Sequence, residues 1–357
     1  MKLQFALLPG DGVGPEVATE AVKVVDKVAG IFGHEVDADV YPFGGQAIHQ
    51  TGECFPPETR EACLGSQAIF LGAVGDPAFD HLPPQERPEA AILGLRKELG
   101  SFANLRPVVA QYNPSYSLFR DNALEDVDLL FVRELTGGLY FGQPRGIREE
   151  EGQLRAWNTL VYTAHEVERV ARVAFEAAQL RRKHVTSVDK ANVLEVSRMW
   201  RQVVEEVSSD YPDVALDHMY VDRAAMELIS KPAQFDIVLT SNLFGDILSD
   251  EASVLAGSLG LLPSASLGGR VGLYEPVHGS APDIAGQGIA NPLGAISSLA
   301  LMLRYSFKLE EEASAVERAC QTSLEEGYLT ADLVSPEEAK STNEVGDFIA
   351  NAIGSPE

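Results

Sequence analysis

Positive charge is scarce in this chain of 357 residues. Its 28 Lys and Arg, only nine of them Lys, stand against 53 Asp and Glu, a formal net charge of −25 at pH 7. Such a chain repels phosphate backbones and anionic headgroups, which argues against nucleic acid or a membrane surface as a partner held by general electrostatic attraction. Cysteine is scarce too. Cys54, Cys63 and Cys320 are odd in number and form neither a CxxC pair nor a Cys/His spacing, so a disulfide framework and a zinc site are unsupported. Buried free thiols are expected instead. No apolar run reaches the length of a membrane span, and the six residues before Pro9 are too short for the apolar region of a signal peptide. A cytoplasmic protein is expected. Internal repeats and low-complexity tracts are also lacking.

What is present suits a large globular protein. Hydrophobic residues make up 45% and charged residues 23%, and the length exceeds the roughly 250 to 300 residues at which single cores stop growing. Two domains, or one elaborated domain, are expected. Apolar strand-like runs at Leu3 to Leu8, Glu35 to Tyr41, Gln67 to Leu71, Val127 to Val132 and Val185 to Val188 alternate with helical patterns. That alternation implies an α/β fold. The first turn, Pro9 to Glu16, invites a dinucleotide fingerprint, yet its glycines fall as GxGxG rather than GxGxxG, so it reads as a tight strand-to-helix turn. Gly72 to Pro88 is rich in Pro, Gly and Asp and reads as a long irregular loop bordering a site.

Chemistry concentrates in DIVLTSNLFGDILSDEASVLAG, Asp236 to Gly257, where a strand-like run turns into a helix bearing Asp246 and Asp250. Four residues apart, they share a helix face with Cβ atoms about 5 to 6 Å apart. Ile247, Leu248, Val254 and Leu255 are expected to form the buried stripe, leaving the acidic pair as a half-site for a hard divalent cation or as a solvated helix start. Glu89, Ile92, Leu93 and Arg96 follow i, i+3, i+4, i+7 and line one helical face. Arg96, Arg106 and Arg133 suggest a bidentate grip on carboxylates, although each is open to a structural ion pair. Tyr140 lies in a Gly-rich loop, as a proton donor or a half-buried aromatic. Lys190 and Asp222 follow strands, where α/β sites lie. Residues 148 to 163 suit a two-stranded projection packing on another chain or on its own domain. Gly279, Ser280, Asp283, Gly286 and Asn291 share one loop that allows close backbone approach to a ligand.

Taken in order, LPGDGVGPE, LRKELGSFANLRP, RELTGGLYFGQPRG, SVDKANVLE, YVDRAAM, SNLFGDILSDEAS and EPVHGSAPDIAGQGIANP resemble the motif series of the isocitrate/isopropylmalate, or β-decarboxylating, dehydrogenases. The resemblance runs from Leu3 to about Leu303. It implies a two-domain α/β fold around a large twisted mixed sheet, unlike the Rossmann fold, with residues 1–101 and 256–357 in one domain and 102–255 in the other. It makes Arg96, Arg106 and Arg133 the clamp on substrate carboxylates, Asp222, Asp246 and Asp250 the Mg²⁺ or Mn²⁺ ligands, and Tyr140 and Lys190 the proton-transfer pair. The loop from His278 to Asn291, including Gly279, Ser280, Ala281, Asp283 and Ile284, is implied to hold NAD. A homodimer is implied, with Lys190 and Asp222 completing the neighbour's site. The implied reaction is oxidative decarboxylation of 3-isopropylmalate to 2-oxoisocaproate in leucine biosynthesis, with Glu89, Ile92, Leu93 and Val193 around the alkyl group. Tartrate, D-malate, homoisocitrate and isocitrate are the alternative substrates within the family, and a non-catalytic regulatory subunit is the alternative outside enzymology.

Overall fold

A computed structural model describes residues 1–110, 119 and 123–354. In chain order, the first elements are β1 (Lys2–Gly10), α1 (Gly14–Phe32), β2 (Glu35–Val40), α2 (Gly45–Thr51), α3 (Pro57–Gly65), β3 (Ala68–Ala73) and α4 (Pro88–Leu99). The middle of the chain forms β4 (Ala103–Val109), β5 (Asp128–Glu134), β6 (Gly146–Glu150), β7 (Gln153–Trp157), α5 (Ala164–Gln179), β8 (His184–Asp189), α6 (Glu195–Ser208), β9 (Ala215–Tyr220), α7 (Val221–Ser230), β10 (Ile237–Thr240) and α8 (Asn242–Ala256). It ends with β11 (Pro263–Leu267), β12 (Gly272–Pro276), α9 (Leu293–Tyr305), α10 (Glu310–Glu325) and α11 (Thr342–Ala352). The fold is mixed α/β with ten strands in the large sheet, which divide five and five between two compact units.

Unit 1 holds Met1–Ser101 and the chain from Ala256 onward. Its strands run in the order β2, β1, β3, β12, β11, parallel except for β11 against β12. The helical period of α1 is read correctly from the sequence. Val17, Ala21, Val24, Val25 and Val28 are all fully buried, and Pro15 sits in the first turn, where its missing N–H costs nothing. β11 and β12 escape the sequence reading because their residues, PSASL and GLYEP, carry too few branched or aromatic side chains to signal a strand.

Unit 2 holds Phe102–Val109 and the chain up to Leu255. Its order is β4, β5, β10, β8, β9, with β4 antiparallel to β5 and the remaining neighbours parallel. Strands covered on both faces should be continuously apolar, and β5 and β10 are buried along almost their whole length. α5 starts with a capping box, in which the Thr163 N–H donates to Glu166 Oε2 at 2.7 Å and the Glu166 N–H donates to Thr163 Oγ1 at 3.3 Å. The hairpin β6–β7 stands apart as its own two-stranded sheet. Among the described residues, no helix is long and apolar enough to cross a membrane. The three cysteines are free, with Cys63 and Cys320 buried.

Two local expectations fail. Leu248 and Leu255 are buried on α8 as foreseen, but Ile247 is 57% and Val254 53% exposed. An i, i+7 pair continues along one side of a helix, and that side of α8 is left exposed among the described residues. Arg133 lies inside β5 rather than after it, because the ladder with β4 runs two residues past Val132, pairing Arg133 with Asn104 and Glu134 with Ala103.

Candidate active site

The parallel strands of unit 2 set the geometry. Register places Arg133 beside Thr240, Thr240 beside Val188, and Asp189 beside Tyr220. The segments leaving those strands, with Asn242, Lys190 and Asp222, therefore emerge at one sheet edge, the carboxyl edge where α/β folds bind ligands.

Arg133 is 2% exposed, so every donor on its guanidinium needs a partner. Nε donates to the Asn242 carbonyl at 2.9 Å, Nη2 to Asn242 Oδ1 at 2.8 Å, and Nη1 to Asp246 Oδ1. Gly245 makes this approach possible, since a Cβ there would stand 2.7 Å from Arg133 Cγ. Arg106, also buried, donates Nε to Asn104 Oδ1 at 2.7 Å, Nη1 to Ser249 Oγ at 2.8 Å and to Asp250 Oδ1 at 3.2 Å, and Nη2 to Asp246 Oδ1 at 3.5 Å. Tyr140 donates its hydroxyl to Asp246 Oδ2 at 2.6 Å. Asp246 is thus the hub of two guanidiniums and a phenol. Burial, and then the bond to Asp246, push the Tyr140 phenol up to about 12, so it stays a proton donor at neutral pH. Burial also raises Asp250 against the pull of Arg106.

Behind this cluster lies a polar layer that the sequence reading passed over. Glu134 is fully buried and accepts from Thr136 N at 2.8 Å, Thr136 Oγ1 at 2.7 Å and Gly137 N at 2.9 Å. Burial raises its carboxyl, and these donors, with the Tyr162 hydroxyl, offset part of that rise. Tyr162 in turn accepts from Asn242 N at 3.0 Å. The chain Glu134, Tyr162, Asn242, Arg133 ties the Gly-rich loop of Tyr140 to the start of α8. Asn242 stands inside the SNLFGDILSDEAS motif, four residues before Asp246, and that spacing was the signal available.

Lys190 and Asp222 form a separate pair, Nζ to Oδ1, and the lysine draws the Asp222 carboxyl down. Among the described residues, no group of three His, Cys, Asp or Glu gathers to hold a metal. Asp222 therefore does not join Asp246 and Asp250 within one chain. The donor chemistry nevertheless fits a hard divalent cation, for which one or two carboxylates with waters and substrate oxygens suffice. Asp246 and Asp250 are 32% and 56% exposed at their side chains and so remain open on one side.

In unit 1, α4 buries Pro88, Ala91, Leu95 and Leu99 and leaves Glu89 exposed and Ile92, Leu93 and Arg96 half-buried. Arg96 Nη2 donates to Glu275 Oε1 at 2.6 Å, the structural ion pair that the sequence had left open. Gly75 brings α4 and the loop from His278 to Asn291 together, because a Cβ there would lie 3.0 Å from Ser280 Oγ and 3.5 Å from Glu89 Oε1. Its own N–H donates to the buried Asp11 at 2.9 Å. The irregular stretch from Gly72 to Pro88 thus packs, through Gly75, against the loop from His278 to Asn291.

A cavity of about 520 Å³ opens beside that loop, lined in part by His278, Gly279, Ala281, Ile284, Asn291 and Asp332. His278 Nδ1 donates to the Gly279 carbonyl at 2.8 Å, which fixes the tautomer and makes Nε2 an acceptor. Nε2 is buried without a partner among the described residues, and burial lowers the imidazole's pKa. An orphaned acceptor in a large cavity fits a ligand with donors, such as a dinucleotide. Asp332, missed in the sequence, accepts from Asn291 Nδ2 at 3.1 Å and from Ser258 Oγ. Asp283 and Ile284 lie on the same loop, which the Ile284 N–H closes onto the Ala281 carbonyl at 3.1 Å.

Comparison with known proteins identifies the family of the chain. The family model described as isocitrate/isopropylmalate dehydrogenase matches residues 4–349. The chain is 54% identical over 356 residues to a 3-isopropylmalate dehydrogenase of Halalkalibacterium halodurans, covering 99% of this chain and 98% of that one. It is 51% identical to another from Aquifex aeolicus, covering 98% and 96%. Among solved structures, isocitrate dehydrogenase from Methylococcus capsulatus superposes with a TM-score of 0.88 at 34% identity, covering 99% of both chains. A β-decarboxylating dehydrogenase from Thermococcus kodakarensis gives 0.80 at 37%, covering 98% and 95%. With a family model spanning nearly its whole length and relatives above 50% identity, the chain belongs to the isocitrate/isopropylmalate dehydrogenase family and is an enzyme of that family.

Proposed function

We propose that this enzyme oxidises 3-isopropylmalate with NAD⁺ and removes CO₂ to give 2-oxoisocaproate, in leucine biosynthesis in the cytoplasm. The observation that carries the reading is the convergence of Arg106, Arg133 and Tyr140 on Asp246, with Asp250 one turn away. Guanidiniums that now lean on Asp246 and Asp250 would turn to the substrate carboxylates once those aspartates engage Mg²⁺ or Mn²⁺. When bound, the cation supplies Lewis-acid polarisation of a carbonyl oxygen. NAD⁺ supplies the hydride acceptor, held by the loop from His278 to Asn291.

The chain's own residues divide the remaining work. Lys190, in its neutral amine form, takes the hydroxyl proton as C2 loses hydride, which requires its ion pair with Asp222 to open and its ammonium to give up a proton first, as engagement of Asp222 as a ligand would favour. Tyr140, protonated at neutral pH, delivers the proton that carbon needs after CO₂ leaves. Arg96 joins Arg106 and Arg133 on the substrate carboxylates. Ile92, Leu93 and the 62% exposed Val193 supply apolar surface for the isopropyl group, against which a third carboxylate would go unpaired. Asp283 suits ribose hydroxyls and opposes a 2′-phosphate.

We place Lys190 and Asp222 in the site of a second copy. Two observations support a homodimer. Asp222 does not meet Asp246 and Asp250 within the chain, and Met226, Ile229, Ile247 and Val254 expose apolar surface on the two helices that carry these aspartates. The hairpin β6–β7 likewise exposes Ile147 and Leu154.

The test is NADH formation with a panel of 3-isopropylmalate, isocitrate, D-malate and tartrate, with NAD⁺ and NADP⁺, each with and without Mg²⁺. The highest kcat/KM is expected for 3-isopropylmalate with NAD⁺ and the cation. Faster turnover of isocitrate, equal efficiency with NADP⁺, or full activity in excess chelator would each overturn the corresponding part.

A further inference from the structure

The turn between β1 and α1, with its glycines spaced as GxGxG, has no part in the chemistry above, yet it faces the cofactor loop. The Val13 N–H donates to the Ser280 carbonyl at 2.8 Å, and a Cβ on Gly12 would stand 1.9 Å from that same oxygen. Turn and loop therefore touch backbone to backbone. In the first turn of α1, the half-buried Glu16 extends the contact. Its Oε1 accepts from the Gly286 N–H, and its Oε2 accepts from the Gly288 N–H at 3.0 Å.

Gly286 and Gly288 have φ of 75° and 66°, a region that glycine enters without steric cost. Amides presented this way form a concavity that favours an anion, and here the anion is a side chain of the protein. On its other side the loop is held by Thr342 at the start of α11, whose N–H donates to the Gly288 carbonyl at 2.8 Å and whose hydroxyl donates to the Ala290 carbonyl at 2.7 Å. Ala281, between these anchors, sits at φ 39°, a conformation that a non-glycine residue keeps only when its surroundings impose it.

We propose that Glu16 is a positioning residue for the cofactor, clamping the amides of Gly286 and Gly288 so that the loop from His278 to Asn291 is already in its binding conformation when the dinucleotide arrives. This rests on the reading that the loop receives the cofactor. Both carboxylate oxygens are taken by loop amides, so Glu16 acts through the loop. Charge-assisted bonds of this kind are the stronger ones. Without them the competent loop is only fractionally populated, and apparent affinity falls by that fraction. Once cofactor is bound, the reacting groups are the same as before.

The experiment uses the full-length enzyme with Glu16→Ala and Glu16→Gln. It combines NADH titration by fluorescence, steady-state kinetics, and hydrogen exchange over residues 284–290. Glu16→Ala should raise the NADH Kd and the NAD⁺ KM about tenfold. Glu16→Gln, which keeps one acceptor oxygen, should raise them about threefold. In both, kcat at saturating NAD⁺ and the KM for 3-isopropylmalate should stay within twofold. Exchange over 284–290 should quicken while α1 keeps its protection. An unchanged NADH Kd, or a kcat that falls in step with affinity, or loss of protection along α1, would overturn the proposal. Asp283→Ala separates the two levels of inference, because normal NADH affinity in that variant would overturn the reading of the loop itself and the role of Glu16 with it.

Discussion

Tyr162→Phe isolates the polar layer behind the site, because it removes one oxygen and leaves the volume of the ring in place. In the folded chain that oxygen accepts from the Asn242 N–H at 3.0 Å and bonds to the Glu134 carboxylate. Both partners are essentially inaccessible to solvent, with Asn242 at 1% and Glu134 at 0% exposure. Glu134 keeps three other donors, from Thr136 and Gly137, so its loss is partial. The Asn242 N–H stands at the first turn of α8, where no intrahelical acceptor exists, and it is left unsatisfied. A buried unsatisfied donor costs about 1 to 3 kcal/mol. No cavity term is added because the ring still packs against Trp200, 5.6 Å away between centroids. The expected loss is therefore about 2 kcal/mol, read as a lower urea midpoint with the m-value unchanged. Asn242 also carries Arg133 through its carbonyl and side chain, so kcat/KM for the 2-hydroxy acid should fall while NADH affinity holds. A variant matching the unmodified enzyme in both midpoint and kcat/KM would show that the hydroxyl neither stabilises α8 nor positions Arg133.

Asp246→Asn should lose cation-dependent turnover and also stability. It removes the carboxylate facing the buried Arg133 but keeps an acceptor oxygen, so the loss should fall below the roughly 3 to 5 kcal/mol of a broken buried pair. A variant with the parent's turnover and urea midpoint contradicts this. Burial lowers the pKa of His278 and of His218, so below the ordinary value of 6.5 the unfolded chain binds the extra protons, and stability is lost as pH falls from 6.5 toward the folded-state values. The slope should reach at most about 1.4 kcal/mol per pH unit for each histidine, and His278→Gln should flatten it. A profile unaltered by that substitution excludes His278 as the source. With a net charge of −25 per chain, the unfolding temperature should rise with KCl as the Debye length shrinks from about 30 Å at 0.01 M to about 3 Å at 1 M. A flat or falling midpoint, with metal and cofactor held fixed, removes self-repulsion as a factor.

The sequence was most legible where a period could be counted. Val17, Ala21, Val24, Val25 and Val28 repeat at helical spacing, and all five are buried. It was least legible where the deciding contact lay far along the chain. Nothing local to Arg96 reveals Glu275, 179 residues away, and nothing local to Glu16 reveals the amides of Gly286 and Gly288. The GxGxG turn shows the same limit. Gly10 and Gly12 are needed because the Ala73 and Ser280 carbonyls would each meet a Cβ at 1.9 Å, a packing reason that a local pattern cannot distinguish from close approach to a phosphate. Ile247 and Val254 mark a different boundary, since their apolar character was legible but a helical period does not say which apolar side the described residues cover, and both stay exposed.

The charges of the cluster in unit 2 constrain how it can load. Arg106 and Arg133 face Asp246 and Asp250, two positive groups against two negative ones, and the guanidiniums are buried while the carboxylates keep an open side. Removing a carboxylate from a buried guanidinium without replacement leaves an uncompensated charge, which is strongly unfavourable. A divalent cation arriving alone would draw Asp246 and Asp250 toward itself and strand both arginines. A dicarboxylate arriving alone would meet guanidiniums that are already neutralised. Together they carry +2 and −2, so the aspartates would turn to the cation and the arginines to the substrate, and the balance among Arg106, Arg133, Asp246 and Asp250 would be kept. Cation and substrate should therefore strengthen each other's binding, by the same factor in either order. Mn²⁺ titration with and without 3-isopropylmalate, in the absence of NAD⁺, measures that factor, and equal Mn²⁺ affinity in the two titrations would mean that the arginines and aspartates do not exchange partners.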